Sequence, residues 1–571
     1  MRNALIASLM AVGLGGVQGA MAQHQTVAGS HGMVVSTQYL ASRIGADILK
    51  KGGNAIDAAI AVGYALAVVH PAAGNIGGGG FMTIRFADGR SQFIDFRERS
   101  PAAATPALFQ DKDGNAIPEL GDIGYLAAGV PGTVAGFELA RDRYGTLARE
   151  TLVEPAIDLA DRGFILKDGD VQNIAEVAES LALDPEAARI FLIDGKNAPK
   201  AGHRLRQPDL AQSLRMISQG GLEAFYKGPI ADAIVAASEA HHGILAKEDF
   251  ARYAAHDRKP VTCSYRRYKI VTAAPPSSGG ATLCELLNIV EGYDMAKLGF
   301  HSAASIHVLA EAMRHAFHDR SLMGDPDFVQ NPVAHMIDKS YAKGIRAQIL
   351  PDLATDSLSL GPIVTAASEG PHTTDYAVID RFGTAVSVVY TLNDWFGAKV
   401  VAPGTGIVLN NEMGDFAAKP GTPDADGLVT SETNEIEPGK APLSSMTPTI
   451  LARPDGRTAL VIGSFGSGTI ITSIAQAIVN LVDYKMSVQD AVDSPRIHQQ
   501  WLPDRVYFDH GAVSNEVGYQ LEDMGYLLTE GTQGGASEAI LVGGQTLTGK
   551  SNGKYYGAND RRAPVGAAVG W

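Results

Sequence analysis

Hydrophobic and polar positions change period several times along the chain, and each change marks an element. Residues 37–51 and 55–70 read as helices separated by Gly52-Gly53-Asn54, where glycine closes one helix and asparagine caps the next. The second helix is apolar nearly all round, which predicts burial on every side. Residues 81–86 and 92–96 read as paired strands joined by the turn Ala87-Asp88-Gly89-Arg90. From about 132 to 257 the pattern is mainly helical, strand character returns at 261–273, and helical runs follow Pro275-Pro276-Ser277-Ser278-Gly279-Gly280 as far as Arg320.

Residues 351–372 break the pattern. They are rich in Asp, Ser, Gly and Pro with little periodicity, which predicts an accessible, cleavable segment. Beyond it, 376–379 and 385–392 alternate as strands around Asp380-Arg381-Phe382-Gly383. Further strands are expected at 405–410, 459–463, 505–508 and 537–542, and a helix at 469–482. No repeat of fixed period is visible. Strands and helices mix in both halves without regular βαβ alternation, so the expected class is α+β, with stacked sheets covered by helices.

A chain of 571 residues with 45% hydrophobic content can bury a large core, as one big mixed domain or two intimately packed units. Its formal charge of −15 argues against a general nucleic-acid or anionic-membrane binder, because those concentrate Lys and Arg. An anionic substrate then needs a local basic anchor. The N-terminus, with Arg2, an apolar run and Ala20-Met21-Ala22, has the form of an export leader removed before Gln23. That run is too short to span a bilayer and no later one reaches the length, so the mature protein is expected to be soluble and periplasmic or secreted. Two cysteines, Cys263 and Cys284, make no disulfide framework; an oxidising compartment permits a bond, and the sequence leaves their pairing open.

Candidate chemistry narrows to a few places. The glycine-rich run 74–80 follows a helix, opens a strand and lacks lysine, so it is read as a tight bend under close packing and not as a phosphate loop. His315 and His318 share a helix face near Asp319 but have no compact third ligand; they are read as surface and packing residues, and no metal site is expected. The run Gly463-Ser464-Phe465-Gly466-Ser467-Gly468 lies between a strand and a helix with the wrong spacing for a serine elbow. Unpaired backbone N–H groups there can hold a developing oxyanion. Thr373 and Thr374 open a strand directly after the cleavable segment. Threonine suits a strand edge, but it also becomes a nucleophile when its own α-amine takes the hydroxyl proton, which requires cleavage immediately before it.

With GGNAIDAAIA (52–61), NIGGGGFM (75–82), DFRERSPAAA (95–104), PPSSGG (275–280), DRSLMGDPDF (319–328), TTDYAV (373–378), TLN (391–393), NNEMGDF (410–416) and PLSSMTPT (442–449), the mature chain resembles the γ-glutamyltransferase (γ-glutamyltranspeptidase) family of N-terminal-nucleophile hydrolases. The resemblance implies a four-layer αββα sandwich. It also implies autocatalytic cleavage between His372 and Thr373, giving a signal peptide 1–22, a large subunit 23–372 and a small catalytic subunit 373–571 that together form one sandwich. By the same resemblance Thr373 is nucleophile and, through its amine, base; Thr391 orients it; Gly466 and Ser467 offer oxyanion donors. Arg97, with Ser444 and Ser445, holds the donor's α-carboxylate, while Asn393, Glu412 and Asp415 hold its α-ammonium. The implied reaction passes a γ-glutamyl group from glutathione or another γ-glutamyl compound, through a threonine acyl-enzyme, to water or to an amino-acid or dipeptide amine, with no cofactor and no metal.

The chain departs from the family pattern at the oxyanion loop, where Phe465-Gly466-Ser467 replaces Pro-Gly-Gly; at Asp426, where bacterial relatives often carry a tyrosine over the pocket; and at Asp375, where some relatives have histidine. A serine at 467 serves only if its Cβ is tolerated there. Two other readings remain: an acylase for glutaryl-type or cephalosporin side chains on the same scaffold, and an uncleaved, inactive amino-acid-binding relative.

Overall fold

The computed structural model describes residues 26–361, 372–419, 431–531, 535–548 and 551–571. The expected leader 1–22 with its boundary at Gln23, Asp426, and residues 362–371 of the cleavable segment lie outside the described residues.

Two seven-stranded sheets stack on each other. The first runs, in spatial order, Ala567–Gly570, Met33–Ser36, Thr374–Ile379, Ala385–Thr391, Gly79–Arg85, Ser91–Phe96 and His256–Arg258. The second runs Val27–Gly29, Tyr555–Asn559, Ser537–Val542, Thr458–Ser464, Thr449–Ala452, Tyr268–Thr272 and Val261–Tyr265. Every neighbouring pair in both sheets is antiparallel. Their facing sides meet through a thin apolar layer that includes Val35, Ala377, Ile379, Val461 and Ile540. Helices Tyr39–Lys50, Ala55–Val69 and Thr133–Tyr144 cover the outer face of the first sheet, and Gly279–Val290, Thr469–Val482 and Val488–Asp493 that of the second. The expected αββα layering is the observed one.

Local chemistry accounts for these elements. Asn54 caps the second helix, accepting from the N–H groups of Ile56 and Asp57 while Asp57 reaches back to the Asn54 N–H. All fifteen residues of that helix are buried, as its apolar circumference predicts. In the glycine run, a Cβ on Gly77 would lie 2.1 Å from the Val408 carbonyl oxygen and one on Gly78 2.1 Å from that of Thr391, so close backbone approach sets the residue type.

Two expectations need correction. The run 405–410 is no strand: Gly404 and Gly406 take φ of 74° and 66°, folding the chain around Thr405, and only an isolated bridge, Val401 to Val408, forms. Its apolar residues Ile407 and Leu409 are buried without ladder pairing. The run 261–273 is a hairpin of two strands, turned at Arg266 with φ of 53°. Cys263 on the outer strand of this hairpin is bonded to Cys284 on the covering helix Gly279–Val290, which closes the pairing that the sequence left open. Among the described residues no helix is long and apolar enough to cross a membrane.

Candidate active site

The strand Thr374–Ile379 pairs with Met33–Ser36 on one side and Ala385–Thr391 on the other, placing its first residues inside the first sheet. Thr373 stands one step before it and is 6% exposed. Consecutive side chains on a pleated strand turn to opposite faces. Thr374 Oγ1 accordingly lies 2.7 Å from Thr37 Oγ1, whereas Thr373 lines a small cavity together with Arg97, Thr391, Asn393, Asp415, Ser444, Ser445 and Ser467. Residues more than 340 positions apart in sequence thus converge on one hydroxyl.

Thr391, at the end of the neighbouring strand, donates its hydroxyl to the His372 carbonyl oxygen at 3.1 Å and accepts the Asn393 N–H at 2.8 Å. Asn393 takes φ of 78°, and its amide nitrogen donates to Asp415 Oδ1 at 2.8 Å. Arg97 is fully buried. Its guanidinium pairs with Asp415, with Glu412 at 2.5 Å and with Glu98 at 3.5 Å, and its Nε donates to the Pro442 carbonyl at 3.2 Å. Burial opposes the Arg97 charge, yet Glu412, Asp415 and Glu98 more than compensate and hold its pKa above the ordinary arginine range. Burial pushes Glu98 up to about 8 despite Arg97, and pushes Glu412 well above the carboxylate range. Of the three acids around Arg97, Asp415 is the one that lines the cavity beside it. Glu412 does not line the cavity; it sits behind the guanidinium.

Ser444 and Ser445 enter from the loop before the strand Thr449–Ala452. The Ser444 carbonyl accepts from the Ser278 N–H at 2.8 Å and hydroxyl at 2.7 Å, which ties the pair to the start of the helix Gly279–Val290. Ser445 Oγ accepts from Arg320 Nη2 at 3.0 Å. Arg320, buried at the end of the helix Ala303–Arg320, lines the same cavity and was not assigned a role from sequence. Its signal was its place inside the matched run 319–328.

Opposite Thr373, the loop before the helix Thr469–Val482 carries Gly466 at φ of 124° and Ser467 at φ of 50°. A Cβ on Gly466 would lie 2.5 Å from Thr469 Oγ1 and 3.0 Å from the Gly535 Cα. Ser467 does place a Cβ in the left-handed region, so the departure from glycine is accommodated. On the other side of the 372–373 bond lies a wider cavity of about 430 Å³, bordered by His372, Trp395 and Phe465. The site uses side-chain and backbone donors, and His318 is engaged with Asp319 at 2.9 Å.

The arrangement presents a hydroxyl beside a peptide carbonyl already hydrogen-bonded by Thr391, with a cation and an anion a short way off. Residues 41–570 match the family model described as Gamma-glutamyltranspeptidase. The chain belongs to the gamma-glutamyltranspeptidase family. It is 50% identical to a glutathione hydrolase proenzyme of Pseudomonas sp. (strain A14), covering 100% of this chain and 99% of that one, and 44% identical to a glutathione hydrolase proenzyme of Escherichia coli (strain K12), covering 95% and 93%. Among solved structures it superposes on a cephalosporin acylase from Bacillus halodurans with a TM-score of 0.82 at 25% identity, covering 96% of this chain and 97% of that one. As a gamma-glutamyltranspeptidase-family member the protein is an enzyme, and its α+β sandwich is that of the N-terminal-nucleophile hydrolases.

Proposed function

We propose that this gamma-glutamyltranspeptidase-family enzyme cleaves itself between His372 and Thr373 and then uses Thr373 to move γ-glutamyl groups from glutathione and related donors to water or to amino-acid and dipeptide amines. The observation that carries the proposal is the Thr391–His372 hydrogen bond beside the Arg97–Asp415 pair in one cavity.

In maturation, Thr373 Oγ attacks the His372 carbonyl carbon, and the oxygen that gains charge is the one Thr391 already donates to. Collapse breaks the C–N bond, and the proton lost by the hydroxyl ends on the freed nitrogen. Water then hydrolyses the ester, releasing the His372 carboxylate and leaving Thr373 with hydroxyl and amine together.

In turnover the amine takes the hydroxyl proton, Oγ attacks the γ-carbonyl of the donor, and the leaving amine is reprotonated. Backbone N–H groups at Gly466 and Ser467 face the developing oxyanion, donors typically worth about 2.7–4 kcal/mol. The α-carboxylate of the donor suits the two-pronged Arg97, with Ser444 and Ser445 beside it, and the α-ammonium suits Asp415 and the Asn393 carbonyl oxygen. Glu412 acts from behind, keeping the guanidinium in place. Water or an amine then opens the acyl-enzyme.

The proposal places the mature enzyme, as subunits 23–372 and 373–571, in the periplasm or medium. The bonded Cys263–Cys284 pair supports an oxidising compartment. A denaturing gel with N-terminal sequencing of the smaller band tests the first part: a new terminus at Thr373 is expected, and a single active band overturns it.

The second reading, a glutaryl or cephalosporin acylase, is favoured by the likeness to the Bacillus halodurans structure. A glutaryl group lacks the amine that Asp415 and Asn393 are arranged to meet. Comparing a γ-glutamyl anilide with a glutaryl anilide separates the two; faster turnover of the glutaryl compound selects the acylase.

A further inference from the structure

Two buried arginines line the cavity around Thr373. Arg97 is paired with Glu412, Asp415 and Glu98, whereas Arg320 Nη2 donates to Ser445 Oγ at 3.0 Å. A guanidinium has N–H donors and no acceptor, so the direction of that bond is fixed: Arg320 gives the proton and the Ser445 oxygen receives it. The single proton of the Ser445 hydroxyl then has to point elsewhere. Ser444 stands in the same condition, its Oγ accepting the Met446 N–H at 3.0 Å. Among the described residues nothing accepts from either hydroxyl. Both serines line the cavity, so their two protons are left for what enters it.

Each member of this arrangement is anchored separately. Arg320 closes the helix Ala303–Arg320, where the unpaired carbonyls of the last turn favour a cation. Beside it, Asp319 accepts from the Tyr341 hydroxyl at 2.6 Å and meets His318 Nδ1 at 2.9 Å, and the Met323 N–H donates to the Arg320 carbonyl at 3.0 Å, so the helix end is pinned. Ser444 is held through its carbonyl by Ser278, next to the helix Gly279–Val290, and the two helices pack on each other. Arg320 is 2% exposed, so its bond to Ser445 acts where water is excluded. There a cation on the hydroxyl oxygen polarises the O–H and makes it a stronger donor.

We propose that Arg320 is a positioning residue that turns the Ser445 hydroxyl proton into the cavity, so that Ser444 and Ser445 donate together to the α-carboxylate of the acyl-donor substrate. A carboxylate only accepts, and its two oxygens match two O–H groups from adjacent residues. A substrate without that anion leaves the pair of hydroxyl protons unanswered. Arg320 thereby selects γ-acyl substrates that carry an anion at this position, a task distinct from that of Arg97, which meets the carboxylate itself. The inference rests on the proposed reading that Ser444 and Ser445 face the substrate's α-carboxylate.

A hydrogen bond to the α-carboxylate is made in the ground state and in the transition state alike, so its loss raises KM and changes kcat comparatively little. Self-cleavage does not use it, because the scissile 372–373 bond lies within the chain and presents no α-carboxylate. A merely structural arginine behaves otherwise: its loss impairs maturation and every substrate to a similar extent.

The test uses the full chain with wild-type sequence and with Arg320→Gln, Arg320→Lys, Ser445→Ala and the double variant Arg320→Gln/Ser445→Ala. Three anilides serve as probes: γ-glutamyl, with amine and carboxylate; glutaryl, with the carboxylate alone; and γ-aminobutyryl, with the amine alone. Binding is read as KM, or as an inhibition constant against the γ-glutamyl anilide where turnover is slow. Arg320→Gln is expected to give the same two bands as wild type on a denaturing gel. It is expected to weaken binding of the two carboxylate compounds about tenfold or more, and of the γ-aminobutyryl anilide less than about twofold. Arg320→Lys, which keeps a cation able to donate, is expected to recover part of the loss. On the Ser445→Ala background Arg320→Gln is expected to add less than about twofold. Equal losses on all three anilides, or the full effect of Arg320→Gln persisting without the Ser445 hydroxyl, overturns the proposal. Should the arginine variants fail to fold, Ser445→Ala decides: a loss confined to the carboxylate compounds supports the proposal, and an equal loss on all three overturns it. Failure of the parent reading shows itself differently, as a wild-type chain that neither cleaves nor turns over the γ-glutamyl anilide.

Discussion

The Thr391 hydroxyl donates to the carbonyl oxygen of His372 at 3.1 Å, and its own oxygen is held by the Asn393 N–H. The hydroxyl has the Asn393 carbonyl oxygen as a longer second acceptor at 3.4 Å, and its nearer acceptor is the carbonyl of the bond proposed to break. Removing that donor without changing shape should slow self-cleavage more than it alters the fold.

Thr391→Val is accordingly expected to slow conversion of the precursor about a hundredfold, as loss of an oxyanion-type donor does. Thr391→Ser should mature at a rate close to wild type. The appearance of two bands from purified precursor, followed over time on a denaturing gel, measures both; maturation of the valine variant at the wild-type rate would falsify the assignment.

Asp415 meets Arg97 and accepts from Asn393 Nδ2 at 2.8 Å, and its proposed partner in turnover is the donor's ammonium. A charge-assisted hydrogen bond contributes about 1.5–3 kcal/mol, so Asp415→Asn should lower kcat/KM for a γ-glutamyl anilide roughly ten- to a hundredfold. A glutaryl anilide, which has no amine, should be affected far less. Equal losses on both substrates would mean that Asp415 only supports Arg97.

Burial raises Glu98 to about 8, and its Oε2 lies 3.5 Å from Arg97 Nη1. A carboxyl with a raised folded pKa binds its proton more tightly than the unfolded chain does. Its contribution to stability is thus greatest at acid pH and declines as pH rises to about 8. Above that pH a new negative charge competes with the donor carboxylate for Arg97. KM for the γ-glutamyl donor is expected to climb above pH 8, and Glu98→Gln to flatten the climb; a KM profile that the substitution leaves unaltered removes Glu98 from the argument.

Gly466 and Ser467 both hold positive φ, but only Gly466 is hemmed in by Thr469 and Gly535. Gly466→Ala should therefore displace the loop and reduce kcat by about a hundredfold, within the range for losing one oxyanion donor. Ser467→Gly removes a left-handed penalty of about 1–2 kcal/mol and should raise the melting temperature. Calorimetry and steady-state kinetics on the pair read the two effects separately, and an undiminished kcat in Gly466→Ala would move the oxyanion donors elsewhere.

Much of the fold was legible where local chemistry and burial agree. The Asn54 cap, the all-apolar helix Ala55–Val69, the hairpin Gly79–Phe96 and the helix Thr469–Val482 each follow from period and punctuation. The run 405–410 misled because three consecutive apolar residues suit a strand, while Gly404 and Gly406 bend the backbone away from any ladder. The short strand Met33–Ser36, beside the nucleophile strand, offers only four residues and too little period to be read. Arg320 and Glu412 were ambiguous in a further way, since a sequence does not tell whether a charge lines a cavity or stands behind the residue that does.

From the sequence alone come the α+β class, the glycine constraints and the ordered motifs that identify the family, because these depend on neighbours along the chain or on patterns of residue type. Tertiary structure decided the rest: that Cys263 meets Cys284, that Thr391 addresses the His372 carbonyl, and that the Glu538 N–H meets the Asp375 carboxyl group. Those relations join positions brought together only by stacking two sheets, and their energies depend on water being excluded between them.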